Sequence, residues 1–485
     1  MTTCQTRMLI NGRWVTASQG GTRAIINPAT EEPVAEVCYG SPADAHAAVD
    51  AASAAMPLWS AMTAYQRCDI LRKGTSLLRE RVDAIARLLT MEQGKPLAEA
   101  KGELLVSANW IDWCAENGKR LYGQIVPASA PNKRLFITHH PVGVTAVISP
   151  WNFPVLLAAR NIGAALAAGC SVISRPASQT PLALLGVIEC LHDGGVPAGV
   201  LNIIMGRADE LTEVLFERRE VRKICFTGST VIGKQLYARG ADQVKRLSLE
   251  LGGHAPFIIL PDADMNFAGR LAAQSKFRNN GQVCISASRF YVHHQAKKAF
   301  AESVAQHAAE MKVGNGLDEG VQIGPMFEKK ALAHAAELVA DARESGASVL
   351  LGGQRDGRFA KGNFFQPTVL TDVPDCARVL REEPFAPILP IMPFETLDQV
   401  VAKANDTPYG LAAYIVTNRI DWATWLTERL EVGIVGINEF SPATPQCPFG
   451  GMKQSGLGRE GGPNALEEYV EAKYVCLTLP NEVTL

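Results

Sequence analysis

Cys284 lies in Phe277-Arg278-Asn279-Asn280-Gly281-Gln282-Val283-Cys284-Ile285-Ser286, just past a turn-forming Asn-Asn-Gly and six residues after an arginine. Backbone N–H groups at a bend and a nearby cation favour the thiolate, the form that attacks electrophilic carbon. A cysteine alone is more often a small core hydrophobe, so the reading depends on what the rest of the chain supplies. Ser149-Pro150-Trp151-Asn152-Phe153-Pro154 joins a strand end to a helix start and offers the Asn152 amide to a developing oxyanion. An ordinary Asx bond in a proline-rich turn explains that stretch equally well. Phe226-Thr227-Gly228-Ser229-Thr230, with Gly233 three residues on, lets a phosphate approach the N–H groups of a helix start. It is not a GxGxxG sequence, so the phosphate signal is weak alone. Leu249-Glu250-Leu251-Gly252-Gly253 sets a carboxylate at a strand end before a flexible pair, where it can act as a general base.

These residues must be positioned by the elements around them. Met8 to Trp14 reads as a strand, a turn at Asn11-Gly12 and a second strand. Ala43–Ala55, opened by Ser41-Pro42, reads as helix, as do Arg67–Glu92 and Leu97–Cys114. Gly123–Thr138 reads as a hairpin leaving the body, a natural contact for another subunit. From Val144 the pattern is α/β: strands at Val144–Ser149, Ser171–Ser174, Val200–Ile204 and Lys223–Phe226 alternate with helices at Val155–Ala168, Leu182–Leu191, Glu210–Phe216 and Ile232–Ala238. That alternation predicts a parallel sheet with helices on both faces, which binds dinucleotides at the strand carboxyl ends. A second α/β series runs from Ala255 to about Ala443, with strands at Phe257–Leu260, Arg289–His293, Ser348–Leu351 and Ile434–Asn438 and helices at Phe267–Ser275, Lys297–Met311 and Ala331–Glu344. The cleft between the two is the expected active site.

At 485 residues the chain has room for about three domains of ~150 residues. A net charge of −2 leaves no basic surplus for phosphate neutralisation, which argues against a nucleic-acid binder. Eleven cysteines are scattered with none at CxxC spacing, so neither a zinc ribbon nor a disulfide framework is expected. The apolar run Val155–Ile173 is interrupted by Arg160 and Asn161 and reads as helix plus buried strand, not a membrane span. With no signal-peptide core at Met1–Gly12, a cytoplasmic protein is expected.

Taken together, the stretches PWNFP, FTGST, LELGG, GQVC, EEPFAP and PFGGMKQSG, in this order over nearly the whole chain, resemble the aldehyde dehydrogenase superfamily. The resemblance implies an NAD(P)-binding Rossmann-type parallel-sheet domain (1–122 and 142–251), an α/β catalytic domain (252–445), an oligomerisation arm (123–141 and 470–485) and a segment, 446–469, returning to the cofactor domain. It implies a homodimer or homotetramer and no metal. It also implies roles: Cys284 attacks the aldehyde, with the oxyanion held by the Asn152 amide and the Cys284 N–H. Hydride leaves to a nicotinamide, and Glu250 activates the water that hydrolyses the thioester. Glu460, in Gly458-Arg459-Glu460, matches a glutamate that relays protons. Trp151, Gly228 and Ser229 line the cofactor channel, and Glu383 and Phe385 contact the nicotinamide-side ribose and ring. Members that resolve the thioester with coenzyme A typically lack the glutamate at position 250, so release of a free acid is expected.

The resemblance also bears on cofactor and substrate. Arg175 replaces a lysine that holds the adenosine ribose, and Ser178 stands where NAD-preferring members often carry glutamate. A guanidinium without that acid suits a 2′-phosphate, so NADP is expected to be tolerated or preferred, with NAD the alternative. Arg160 and Arg278 match arginines that hold the substrate carboxylate in succinate-semialdehyde dehydrogenases; structural ion pairs are the other explanation. Thr444 can add a hydroxyl. The expected substrate is a short aldehyde with an anionic end, succinate semialdehyde first. Close rivals are 2-oxoglutarate semialdehyde, glutarate semialdehyde and a sulfonated lactaldehyde. Ser286 stands where some succinate-semialdehyde enzymes place a second cysteine, so no redox switch is expected. From other classes, an inactive binding protein is disfavoured by the presence of Cys284, Glu250 and Asn152. A cofactor-independent cysteine hydrolase is distinguished by forming no reduced nicotinamide.

Overall fold

The computed structural model describes residues 4–480; the first three residues and the last five of the expected arm lie outside the described residues. Two large sheets organise the chain. In the first, five parallel strands stand in the spatial order Arg246–Glu250, Val221–Thr227, Val144–Ile148, Val172–Arg175, Leu201–Ile203. These five strands are the parallel sheet expected, and antiparallel strands at its edges make the whole sheet mixed. Gly456–Leu457 adds antiparallel at one edge, and Met8–Ile10 with Arg13–Val15 at the other. The central strands are short apolar runs buried on both faces, as helices on both sides of a sheet require.

The chain passes from Val144–Ile148 outward through Val172–Arg175 and Leu201–Ile203. It then crosses back to place Val221–Thr227 on the other side of its starting strand. The order therefore reverses between Val144–Ile148 and Val221–Thr227, where a crevice opens beyond the carboxyl ends of an open α/β sheet. Asn152, Gly228, Ser229 and Glu250 all lie at or just after strand ends flanking that reversal.

The second sheet has seven strands in the order Ser348–Leu351, Thr368–Thr371, Ile388–Phe394, Ala287–His293, Ala255–Ile259, Ala412–Val416, Ile434–Ile437, antiparallel only at the first pair. Sequence reading passed over three of these. Ile388–Phe394 holds Pro390 and Pro393, which read as breaks in an interior strand. A third sheet pairs Gln124–Val126, Lys133–Pro141 and Val470–Thr478, the last two in register from Pro141–Val470 to Lys133–Thr478. A further hairpin, Thr22–Ile26 with Pro33–Cys38, was also missed.

The segment expected as one helix, Arg67–Glu92, is two, Ala64–Glu80 and Val82–Gln93, separated at Arg81. The helix expected to stop at Ala55 runs Pro42–Ala61 through Pro57. Leu156–Ala168 is buried along its full length, Arg160 and Asn161 included, and ends at Gly169 in the left-handed conformation. Among the described residues no helix is long and apolar enough to cross a membrane.

Candidate active site

The cysteine loop is held by an unusual backbone. Asn279, Asn280 and Gly281 follow one another with φ of 44°, 58° and 73°. Asparagine tolerates this region better than most residues. At Gly281 a Cβ would meet the Ala386 carbonyl oxygen at 2.3 Å. This run delivers Cys284 to the meeting point of two cavities. One lies at the strand reversal and is lined by Trp151, Asn152, Gly228, Ser229, Glu250, Glu383 and Phe385. The other, of about 270 Å³, is lined by Glu99, Phe153, Arg160, Arg278, Ser441 and Phe449. Cys284 borders both.

The thiol is half-buried and free. Burial pushes its pKa up to about 12; Arg160 opposes this, while Glu250 and Glu383 add to it. The Ile285 backbone N–H favours the thiolate, as expected of the turn, but burial is the larger effect. Desolvation by apolar walls outweighs the nearby positive charge, and the cation acting on the sulfur is Arg160.

The Asn152 amide gives one hydrogen to the Gln282 carbonyl at 3.1 Å, leaving its second N–H as the available donor beside the thiol. Glu250 ends the strand Arg246–Glu250, and its Oε2 has no partner among the described residues. Burial first, then the Glu460 carboxylate, raises its pKa well above the carboxylate range, with Arg160 opposing. Glu460 accepts from Arg160 at 3.2 Å and Asn161 at 2.6 Å. The Tyr469 hydroxyl donates to Asn161 Oδ1 at 2.7 Å. Two carboxylates thus share one buried guanidinium.

The two arginines differ. Arg160 is fixed by Glu460 and packs its guanidinium over Phe449 and Trp110, 4.0 and 4.4 Å from the ring centres. Arg278 is half-buried, sits over Phe153 and donates to Ser441 Oγ at 3.3 Å; it forms no ion pair among the described residues. Thr444 is half-buried, bonds to Gln446 and faces a different cavity lined by Asn109, Asp112 and Trp113. Ser441, not Thr444, meets Arg278. Ser441 lies three residues before Thr444 in the same loop, Glu439 to Cys447. Ser286 is buried, with its hydroxyl 3.4 Å from the Ala287 carbonyl.

On the other side, Trp151 stacks on Phe327 with ring centres 4.4 Å apart and meets Phe385 edge-on at 5.7 Å. Phe327 was not foreseen. Ser229 caps the helix Thr230–Gly240 by accepting from Ile232 N–H. Glu383 accepts from Gly253 N–H at 3.1 Å, and burial pushes its pKa up to about 7. Arg175 donates to Ser178 at 3.0 Å and to the Gly206 carbonyl at 3.3 Å, its own pKa lowered by burial to about 10. Among the described residues no group of His, Cys, Asp or Glu side chains is arranged to hold a metal ion.

A cysteine at the junction of a crevice at a sheet's strand reversal and a short polar-ended pocket, with a carboxamide and a carboxylate beside it, defines an enzyme of nucleophilic cysteine chemistry. The aldehyde dehydrogenase family matches residues 14–475. The chain is 47% identical over 471 residues to a succinate-semialdehyde dehydrogenase [NADP(+)] of Escherichia coli, covering 97% of each. It is 46% identical over 470 residues to a glutarate-semialdehyde dehydrogenase of Pseudomonas putida, again covering 97% of each. A crystal structure described as an E. coli NADP-dependent enzyme superposes with a TM-score of 0.96 at 47% identity, covering 98% of both chains. The chain belongs to the aldehyde dehydrogenase family and is an aldehyde dehydrogenase.

Proposed function

We propose that the protein oxidises a short aldehyde carrying a terminal anion to the free acid, with succinate semialdehyde the first-choice substrate. The observation that carries this reading is Arg278: a guanidinium held by Ser441 in the cavity that ends at Cys284, in no ion pair among the described residues though its charge also acts on the buried Glu99 carboxyl in the same wall. A cavity of about 270 Å³ is at the small end of ligand pockets and suits a short chain. The names of the relatives, which carry succinate or glutarate semialdehyde, support the same substrate class. The glutarate, 2-oxoglutarate and sulfonated-lactaldehyde analogues present the same two ends. Arg160, already paired with Glu460, is proposed to add positive field more than a direct clamp.

The crevice side fits a nicotinamide dinucleotide. Ser149 Oγ just past the end of Val144–Ile148, Ser174 Oγ on the adjacent strand, and Arg175 Nε lack partners among the described residues. Arg175 and Ser178 would hold the adenosine ribose end, the start of Thr230–Gly240 a phosphate, and Glu383 with Phe385 the nicotinamide end. When bound, that group supplies the hydride acceptor. The protein's own part is to hold the aldehyde oxygen on Asn152, carry the acyl group on Cys284 and activate water with Glu250; Glu460 takes up protons behind it. No acid stands at position 178, so NADP+ is accepted. Ser178→Glu is expected to raise the KM for NADP+ relative to NAD+ about tenfold, ~1.4 kcal/mol. Steady-state titration of both cofactors checks this; an unchanged ratio would contradict the assignment.

We further propose that the domains follow the boundaries given above. Pairing of Gly456–Leu457 with Arg246–Glu250 supports the return of 446–469 to the cofactor sheet. The exposed edge of Val470–Thr478 supports assembly into a homodimer or homotetramer, and eleven free cysteines support a reducing cytoplasm.

Arg278→Ala tests the substrate assignment. It is expected to lower kcat/KM for succinate semialdehyde about 100-fold, or roughly 2.7 kcal/mol, while leaving butanal within a factor of about three. Equal losses on both aldehydes would make Arg278 structural.

A further inference from the structure

A second polar cluster lies behind the site, on the far side of the turn that carries Asn152. Its centre is Lys95, whose side chain is wholly buried. Gly94 ends the helix Val82–Gln93 at a φ of 99°, and its missing Cβ would meet rings of Pro28 and Pro325 at 2.9 Å. The chain is therefore forced inward at Lys95. The Lys95 ammonium sits 2.5 Å from Glu103 Oε2, donates to the Asn152 carbonyl at 2.8 Å and lies 3.7 Å above the Phe153 ring. The other oxygen of Glu103 accepts from the N–H groups of Val155 and Leu156 at 3.0 and 3.1 Å. One buried ion pair thus grips both ends of the turn, Asn152 by its carbonyl and the start of the next helix by its N–H groups.

The same Asn152 carbonyl receives Asn279 Nδ2 at 3.1 Å, and Asn279 Oδ1 accepts from Gln93 at 3.1 Å. The turn and the cysteine loop are therefore tied to a shared anchor. A buried ion pair is a poor device for stability, because desolving both charges offsets their attraction. It is a good device for fixing a donor: with the backbone of Asn152 clamped and one amide hydrogen spent on Gln282, the direction of the remaining N–H is set before substrate arrives.

We propose that Lys95 and Glu103 are positioning residues that hold the Asn152 amide in its oxyanion-binding orientation. This rests on Asn152 being the oxyanion donor. The test compares two reactions of Cys284. Aldehyde addition develops an oxyanion; alkylation by iodoacetamide displaces iodide and develops none. Lys95→Met is expected to lower kcat for aldehyde oxidation about 100-fold, within the range for loss of an oxyanion donor. KM for the aldehyde and the alkylation rate should stay within about threefold. Glu103→Gln, which keeps the shape and most hydrogen bonds, is expected to lose about tenfold in kcat with the same pattern. It carries the test alone if Lys95→Met does not fold. In an Asn152→Ala background, either change is expected to cost nothing more, since residues acting as one unit are non-additive. Alkylation falling in step with kcat would mean a collapsed site and would overturn the proposal. So would a full further loss in the Asn152→Ala background. If Asn152→Ala itself leaves kcat unchanged, Asn152 is not the donor and the inference fails at its premise, an outcome distinct from the other two.

Discussion

Glu250→Gln is expected to give one fast equivalent of reduced cofactor per site, followed by turnover slowed about 10³-fold. The reasoning starts from position. Glu250 ends a strand facing the cavity that holds Cys284, with one oxygen unpartnered, so it can reach a water beside an acyl group on that sulfur. Glutamine keeps the size and a hydrogen-bond donor but cannot accept a proton. Acylation should survive while hydrolysis stalls, and intact mass measurement should find the acyl adduct on Cys284. The sign of the pH dependence follows from the raised pKa. Burial and Glu460 raise the carboxyl's pKa, so the base form, and with it deacylation, should increase as pH rises through that elevated value. The glutamine variant should lose that rise. A variant with no burst would place Glu250 before the thioester.

Cys284→Ser is expected to lower aldehyde oxidation by at least about 10⁴-fold, because a hydroxyl in the same place is far less ionised and less nucleophilic. The wild-type thiol carries its own signature. With its pKa pushed up to about 12 in the free enzyme, the alkylation rate should climb about tenfold per pH unit across the neutral range without levelling. A plateau near neutrality would show that the positive field of Arg160 prevails over burial.

What could be read from the sequence divides by distance along the chain. Asn152, Gly228, Ser229 and Glu250 were legible because each lies at or just after a strand end, and strand ends point into one crevice once the strand order reverses. Local strength was also misleading. Pro390 and Pro393 hid a central strand, and Arg81 separates two helices with neither glycine nor proline to announce it. The electrostatics were the least legible. Arg278 is six residues from Cys284 in sequence, yet the cation acting on the thiol is Arg160, held there by Glu460 from 300 residues further along. Lys95 carries no local signal in the sequence; only the fold turns it inward onto Asn152. In the loop Glu439 to Cys447, which carries Pro442 and Pro445, Ser441 rather than Thr444 meets Arg278.

The most direct measurement is the initial rate of reduced-nicotinamide formation by the wild-type enzyme with succinate semialdehyde and with butanal, an uncharged aldehyde of the same carbon count, at saturating NADP+. The expected result is a kcat/KM about 100-fold higher for the acid-tailed aldehyde, roughly 2.7 kcal/mol of added transition-state binding. Equal rates on the two would contradict the account and return the enzyme to neutral aldehydes.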